Sequence, residues 1–527
     1  MKKIIYIVPV LALMLFSCNE YLDVNDDPNT VNINEVPPRL LLPGAQLNAY
    51  KVQDSDAKRL GSVFMNSWAG NVYSFTGGFA SEYNLTISNT FYDEIFEDTY
   101  LALANFQKII QYDNANGSQD NYIAIAKIMK AYYMQNIVDL YGDVPYSEAF
   151  QLVENLSPAY DDDADVYSAL FTELEEAEAL ISGGLGDAVG GEDIVLDGNM
   201  PAWSNFAKIV KLKLLMRMSS STNPDAVALS ALIAPTLAGE TFMTNDITIN
   251  PGFNGGRDDQ MNPFVLEYRI NSAGQAPTNY NFVRPSKHLA DFLNGAGTLI
   301  PGTNPNSRTY PGFSDPRRGR LWTGAAGGVI GNEQGETSSD PTTFPGAQPF
   351  GILNFWPHYN GDPITIANLA SVDGYVITKQ EIEFLLAETS LVYPSIVPTG
   401  NGGTHFNNAV EASFDYLFIA PGYPSYAANI SSVAGLGWTG SDNDKLEAIM
   451  TQKWLGLQNI NPIENYIDYT RTGFPATPLA TSTSKPNKPK RLIYPDTEYI
   501  ANAANVPNVT EADVFVVNSL SPFWLQP

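Results

Sequence analysis

Apolar residues recur with helical spacing through two long stretches of this chain and lose that spacing between them. The clearest segment is 121–150, NYIAIAKIMKAYYMQNIVDLYGDVPYSEAF. Ile125, Ile128, Met129, Tyr132, Tyr133, Ile137 and Leu140 follow the i, i+3, i+4, i+7 rule, which predicts one long helix with a single buried face. Ala124, Ala126 and Ala131 are small enough to admit a close neighbour. Gly142 supplies a left-handed C-terminal cap, and Pro145 cannot continue a helix. The same periodicity predicts helices over 40–68, 91–112, 164–181, 203–218 and 224–237, and again over 378–391, 406–418 and 444–457.

Successive helices point to antiparallel pairs stacked as in a helical-repeat array, although no strict 34-residue period is present. Between about 241 and 375 the texture changes. Glycine, proline and asparagine are dense, and aromatics alternate with polar residues, as in Pro251-Gly252-Phe253-Asn254-Gly255-Gly256. An insert this long without helical periodicity is either disordered or functional, and its aromatic content argues for order. The expected architecture is mainly α: a helical-pair scaffold over 40–240, a loop-rich irregular insert over 241–375, and returning helices with a turn-rich closure over 376–527.

The first 17 residues stand apart. Lys2 and Lys3 precede an apolar run from Ile4 to Phe16, the layout of a secretory leader. Cys18, the only cysteine in 527 residues, follows Leu15-Phe16-Ser17 as the acylated cysteine of a bacterial lipobox does. Residues 18–39 then read as an acidic, turn-rich tether. No later segment reaches the 18 or so apolar residues of a membrane span, so a lipid on Cys18 is the expected anchor.

Net charge sharpens the class of partner. The chain carries 29 basic and 57 acidic residues, a formal net of −28. That excludes nucleic acid and anionic membrane surfaces as principal partners. Charged residues are only 16% of the chain while aromatics reach 12%, a balance suited to an uncharged recognition surface or to a large core with polar loops.

Catalytic and metal motifs are absent. His288, His358 and His405 are far apart, and the chain contains no HExxH, GxSxG or P-loop signature. Gly184, Gly186 and Gly190 imitate a dinucleotide fingerprint but follow no strand, and they read as an interhelical loop. Asp161, Asp163 and Asp165 match the first ligands of a calcium loop, yet Val166 replaces the required glycine and Thr172 the closing glutamate. They read as cap and dipole partners of the helix that follows. A glycoside hydrolase needs only two carboxylates placed by the fold, so an exported hydrolase is the alternative reading, and a purely adhesive surface protein is a third. For binding, sugar rings stack on Trp or Tyr while their hydroxyls pair with amides. Trp68, Asn71 and Tyr73 offer both within a few residues, and Trp322 and Trp356 sit in the loop-rich insert. These five are the candidate ligand contacts; no metal ligand or cofactor is expected.

The stop of the long helix, Asp139-Leu140-Tyr141-Gly142-Asp143-Val144-Pro145-Tyr146-Ser147-Glu148-Ala149, resembles the corresponding segment of the SusD/RagB family of outer-membrane lipoproteins. Further pieces agree in order: Tyr21-Leu22-Asp23, Glu381-Ile382-Glu383-Phe384-Leu385-Leu386-Ala387-Glu388, Gln452-Lys453-Trp454, Asp468-Tyr469-Thr470-Arg471-Thr472-Gly473 and Arg491-Leu492-Ile493-Tyr494-Pro495. The resemblance implies a tetratricopeptide-like helical-pair scaffold with a loop-rich irregular ligand-binding subdomain, in a non-catalytic, surface-exposed binding protein of the outer membrane. It implies delivery of an oligosaccharide, in some relatives a peptide, to a SusC-type TonB-dependent barrel. None of these motifs carries a ligand contact across.

Overall fold

In the computed structural model the helices form where the apolar period demands them, with one insertion of different pitch. The structure describes residues 36–71, 78–151, 155–295, 312–323, 328–336 and 365–527. Helix α1 (Pro38–Val52) runs into a π-helical turn, Gln53–Ala57, before α2 (Lys58–Phe64). The periodicity of 40–68 concealed that turn, because an extra residue per turn shifts the buried face by one position without interrupting it. Then follow α3 (Glu94–Ile110), α4 (Asp120–Tyr141), α5 (Asp163–Gly183), α6 (Met200–Arg217) and α7 (Pro224–Leu237). After the irregular middle come α8 (Lys379–Val392), α9 (Gly402–Tyr416), α10 (Asp442–Gly456) and α11 (Pro462–Thr472). The last of these lies where the sequence suggested only turns.

Neighbours in sequence are neighbours in space. Helix α3 packs on α1 and α4, α4 on α5, α5 on α6, and α8 on α9 and α10, so helical pairs build the scaffold. Helix α4 is buried on nearly all sides, polar Lys130, Gln135 and Asp139 included. It is the central rod and not a one-faced helix. The expected single stripe failed because α4 is enclosed by α3, α5, α6 and α1 together. Gly142 ends it at φ 75° and ψ −126°, a conformation open to glycine but different from the left-handed cap expected.

Caps account for several starts. Asp162 accepts from the Ala164 amide at α5, and Ser441 with Asp444 forms a capping box at α10. Asp161 turns the other way and accepts from the Tyr146 and Ser147 amides at 2.8 and 2.9 Å, closing the loop after α4. The acidic run is therefore cap and turn chemistry, as its sequence suggested.

The middle of the chain contributes two small antiparallel sheets. Strand β1 (Trp68–Gly70) pairs with β3 (Val283–Pro285), with Ala69 opposite Arg284. Strand β2 (Ile247–Ile249) pairs with β4 (Gly374–Ile377). Both lie on the scaffold and share its hydrophobic core, in which Trp68, Trp203, Trp322 and Trp454 are fully enclosed. Helix α2 packs directly on α11: a Cβ on Gly61 would lie 2.4 Å from the backbone of Pro462 and Ile463. Only a glycine permits that crossing.

Candidate functional site

The interior is organised around charge. Arg217, at the end of α6, donates to Asp139 on α4 (2.8 Å) and to Asp468 (3.0 Å) and Glu464 (3.1 Å) on α11. Lys213, one turn earlier, bridges Glu381 on α8 (2.9 Å) and Glu464 (2.7 Å). Lys453 of α10 reaches Asp468 at 2.6 Å, and Arg471 reaches Glu388 at 2.6 Å and Asp468 at 3.1 Å. All nine side chains are nearly inaccessible to water. Burial alone raises Glu464 and Asp468, but the surrounding lysines and arginines outweigh it and hold both below the usual carboxylate range. Burial dominates at Asp139 instead and lifts it to about 6, against Arg217 and the Tyr167 hydroxyl.

This network is where the sequence motifs meet. Asp139, Glu381, Glu388, Lys453, Asp468 and Arg471 come from four separate motifs on four helices and interlock with Lys213 and Arg217 of a fifth, α6. Leu492 donates to the Leu140 carbonyl at 2.7 Å, and the Tyr494 hydroxyl donates to the carbonyls of Tyr141 (3.0 Å) and Asp143 (2.6 Å). The void among the charges is about 20 Å³, room for water and no ligand. The motifs are scaffold.

Two of the five proposed contacts fall into the core. Trp68 is 0% exposed; its Nε1 donates to Asn459 Oδ1 at 2.9 Å, and Tyr268 meets it edge-on at 4.9 Å. Trp322 is also 0% exposed, and its Nε1 has no hydrogen-bond partner among the described residues. Neither ring has a face open for stacking, which corrects the reading of both as sugar platforms. The physical reason is the strand. β1 is covered by β3, and segment 328–336 seals it further, with Gln334 Nε2 donating to the Trp68 carbonyl (2.7 Å) and Asn332 Nδ2 to the Gly70 carbonyl (2.8 Å). Asn71 is 8% exposed, and its amide donates to the Phe282 carbonyl at 2.8 Å. Tyr73, Trp356 and Cys18 lie outside the described residues.

Beside this sealed strand the surface opens. Tyr83 of the short helix Ala80–Asn84 accepts from the Gly70 amide at 2.8 Å, tying the helix to β1. The same helix helps line a cleft of about 290 Å³, together with Asp56, Arg59, Ser81, Glu82, Thr90, Phe91, Tyr92 and Glu94. That volume is at the lower edge for small-ligand sites. Glu82 is held by the Tyr92 hydroxyl at 2.8 Å and by Arg59 at 3.5 Å. The Arg59 guanidinium lies 5.0 Å from the Phe79 ring centroid and 5.8 Å from that of Tyr92. Tyr92 adopts φ 56°, unusual for a bulky residue. Burial, then Glu82, pushes its hydroxyl well above the usual tyrosine range, so it remains a donor. Sequence reasoning missed Arg59, Glu82 and Tyr92. They come from three short segments whose approach no periodicity encodes; the acidic run Asp93-Glu94-Ile95-Phe96-Glu97-Asp98 was the one visible signal.

A mainly helical-pair scaffold with a polar, aromatic-edged surface cleft and an internally paired interior defines a helical binding scaffold of the tetratricopeptide-like class. The chain belongs to the SusD-like family: the family model described as starch-binding and associating with the outer membrane matches residues 28–249 and 311–495. Among solved structures, a SusD homologue from Parabacteroides distasonis superposes with TM-score 0.71 at 18% identity, covering 93% of this chain and 98% of that one. A chitin-binding SusD homologue from Flavobacterium johnsoniae gives 0.66 at 18% identity, covering 92% and 98%. A SusD homologue from Bacteroides uniformis gives 0.66 at 19% identity, covering 92% and 99%. No curated protein sequence matches. Among the described residues, no helix is long and apolar enough to cross a membrane.

Proposed function

We propose that this protein captures a glycan at the outer surface of the outer membrane and hands it uncleaved to a SusC-type, TonB-dependent barrel, while a lipid on Cys18 holds it in place. The family match, with its starch-binding and outer-membrane description, carries this reading. Relatives named as chitin-binding add support for a saccharide over a peptide. The cleft beside Ala80–Asn84 forms the proposed contact region; Tyr73 and Trp356 are proposed further contacts. Glu82 is engaged by Tyr92 and Arg59, a poor arrangement for a general acid, which supports binding without hydrolysis.

The test is a calorimetric screen of the purified protein against starch, chitin and other oligosaccharides and a peptide set, with chromatography of each glycan after incubation. Saturable binding of one glycan class with its chain length unchanged is expected. Shortened product would establish the hydrolase alternative. Affinity capture of the native protein from outer membranes is expected to recover a large barrel protein, and recovery without one would count against the transport role.

A further inference from the structure

The cleft is not only polar; its charge is one-sided. Of its lining residues, Asp56, Glu82 and Glu94 are acidic, and Arg59 alone is basic. Arg59 is already committed to Glu82 and to the rings of Phe79 and Tyr92. The Asp56 carboxylate, on the π-helical turn, has Arg59 as its neighbouring cation, which it shares with Glu82. Burial lifts it above the usual aspartate range; Arg59 opposes this, and Asp98 and Asp93 add to it. The rim continues the same sign. Asp93, Glu97 and Asp496 bring carboxylate oxygens within 4.8 Å of one another, and Asp93 also shares a hydrogen bond with Glu94. Negative potential therefore collects where the cavity is, in walls that also hold the Phe91 and Tyr92 rings and the hydroxyls of Ser81 and Thr90.

Resting on the glycan-binding reading above, we propose that this cleft selects saccharides bearing protonated amines, that is, amino-sugar oligomers whose nitrogens are free and not acylated. The ammonium group meets Asp56 and Glu94, while Arg59, the one basic residue of the lining, is already paired with Glu82. The ring C–H face lies against Tyr92, and the ring hydroxyls pair with Ser81, Thr90 and the Arg59–Glu82 couple. A neutral sugar leaves the two carboxylates uncompensated, and a uronic acid is repelled by them.

The experiment compares a glucosamine tetramer with its N-acetylated and uronic-acid counterparts by calorimetry at pH 6, using the full chain. The amine form is expected to bind at least tenfold more tightly than the acetylated form at 20 mM salt, with the gap narrowing at 0.5 M salt. The double substitution Asp56→Asn, Glu94→Gln is expected to remove that gap while leaving the thermal midpoint within a few degrees. Arg59→Met should weaken all sugars alike. Equal or weaker binding of the amine form, a preference that survives the double substitution, or tighter binding of a lysine tetrapeptide than of the amino sugar would overturn the proposal. If a neutral glycan binds but no amine preference exists, the selectivity fails and the glycan-binding function stands. If no glycan of any charge binds, both fail.

Discussion

Arg217→Met tests whether the buried network holds the scaffold together. The methionine keeps much of the arginine stem's volume and removes the guanidinium. Its three acceptors do not suffer equally. Glu464 keeps Lys213 at 2.7 Å, and Asp468 keeps Lys453 at 2.6 Å and Arg471 at 3.1 Å. Asp139 is left with the Tyr167 hydroxyl and no cation. The cost is thus that of one stranded carboxylate, about 3–5 kcal/mol, and not three times as much. An unfolding entropy of about 2.1 cal/mol/K per residue over roughly 500 residues gives about 1 kcal/mol/K, so the midpoint should fall about 3–5 °C. The assay is scanning calorimetry between pH 5 and 8, with urea midpoints as a check. Asp139 titrates at about 6 in the fold, above its unfolded value, so its folded form favours the proton and stability falls as pH rises through that window. Removing Arg217 moves the upper end of the window higher. The variant should therefore trail the parent most at pH 8 and least at pH 5, where a neutral Asp139 needs no cation. Asp139→Asn combined with Arg217→Met should recover at least half of the loss at pH 8. A deficit below about 1 kcal/mol at pH 8, or one that does not narrow in acid, would refute the reasoning.

Other outcomes follow from single contacts. Trp68→Ala should cost about 3–5 kcal/mol in urea denaturation, because it empties a core site; an unchanged midpoint would return Trp68 to the surface. Gly61→Ala drives a methyl into the backbone of Pro462 and Ile463 and should cost about 1–3 kcal/mol, whereas a neutral result would show that α2 and α11 do not cross so closely. Lys488 is buried, bonded to the Thr477 carbonyl (2.7 Å) and hydroxyl (3.0 Å) and lying 4.5 Å from the Tyr469 ring centroid; burial, then Lys490, lowers it to about 7. Above pH 7 the unfolded chain holds this proton and the fold does not, so stability should rise from about pH 7 to 10. Lys488→Met should raise the midpoint at pH 7 and abolish that rise, and a variant-minus-parent difference that stays flat with pH would contradict it.

The helices were legible because a 3.6-residue period is written locally, and α3 to α8 appear close to where Ile, Leu, Met and Tyr recur. Helix α11 was not. Its first turn reads Pro-Ile-Glu-Asn, and the polar residues Glu464, Asn465 and Asp468 that broke the apolar stripe are buried, with Glu464 and Asp468 held by Lys213, Arg217 and Lys453. A buried charge looks like a surface residue until its partner is known. Trp68 erred for the related reason that Asn66, Ser67 and Asn71 around it spend their polarity on backbone atoms and on Trp454, not on water.

By itself the sequence determined the mainly helical class, the order of the helical pairs and the family. Those rest on short-range patterns and on motifs read in order. Only the tertiary structure decided that the motifs are an internal ion network, that two candidate tryptophans are core, and that Asp56, Arg59, Glu82, Tyr92 and Glu94 share one cleft. Whether a carboxylate is a scaffold brace or an open ligand contact depends on which cation lies near it. For Asp139 that cation, Arg217, is 78 residues away along the chain; for Glu464 the same Arg217 is 247 residues away.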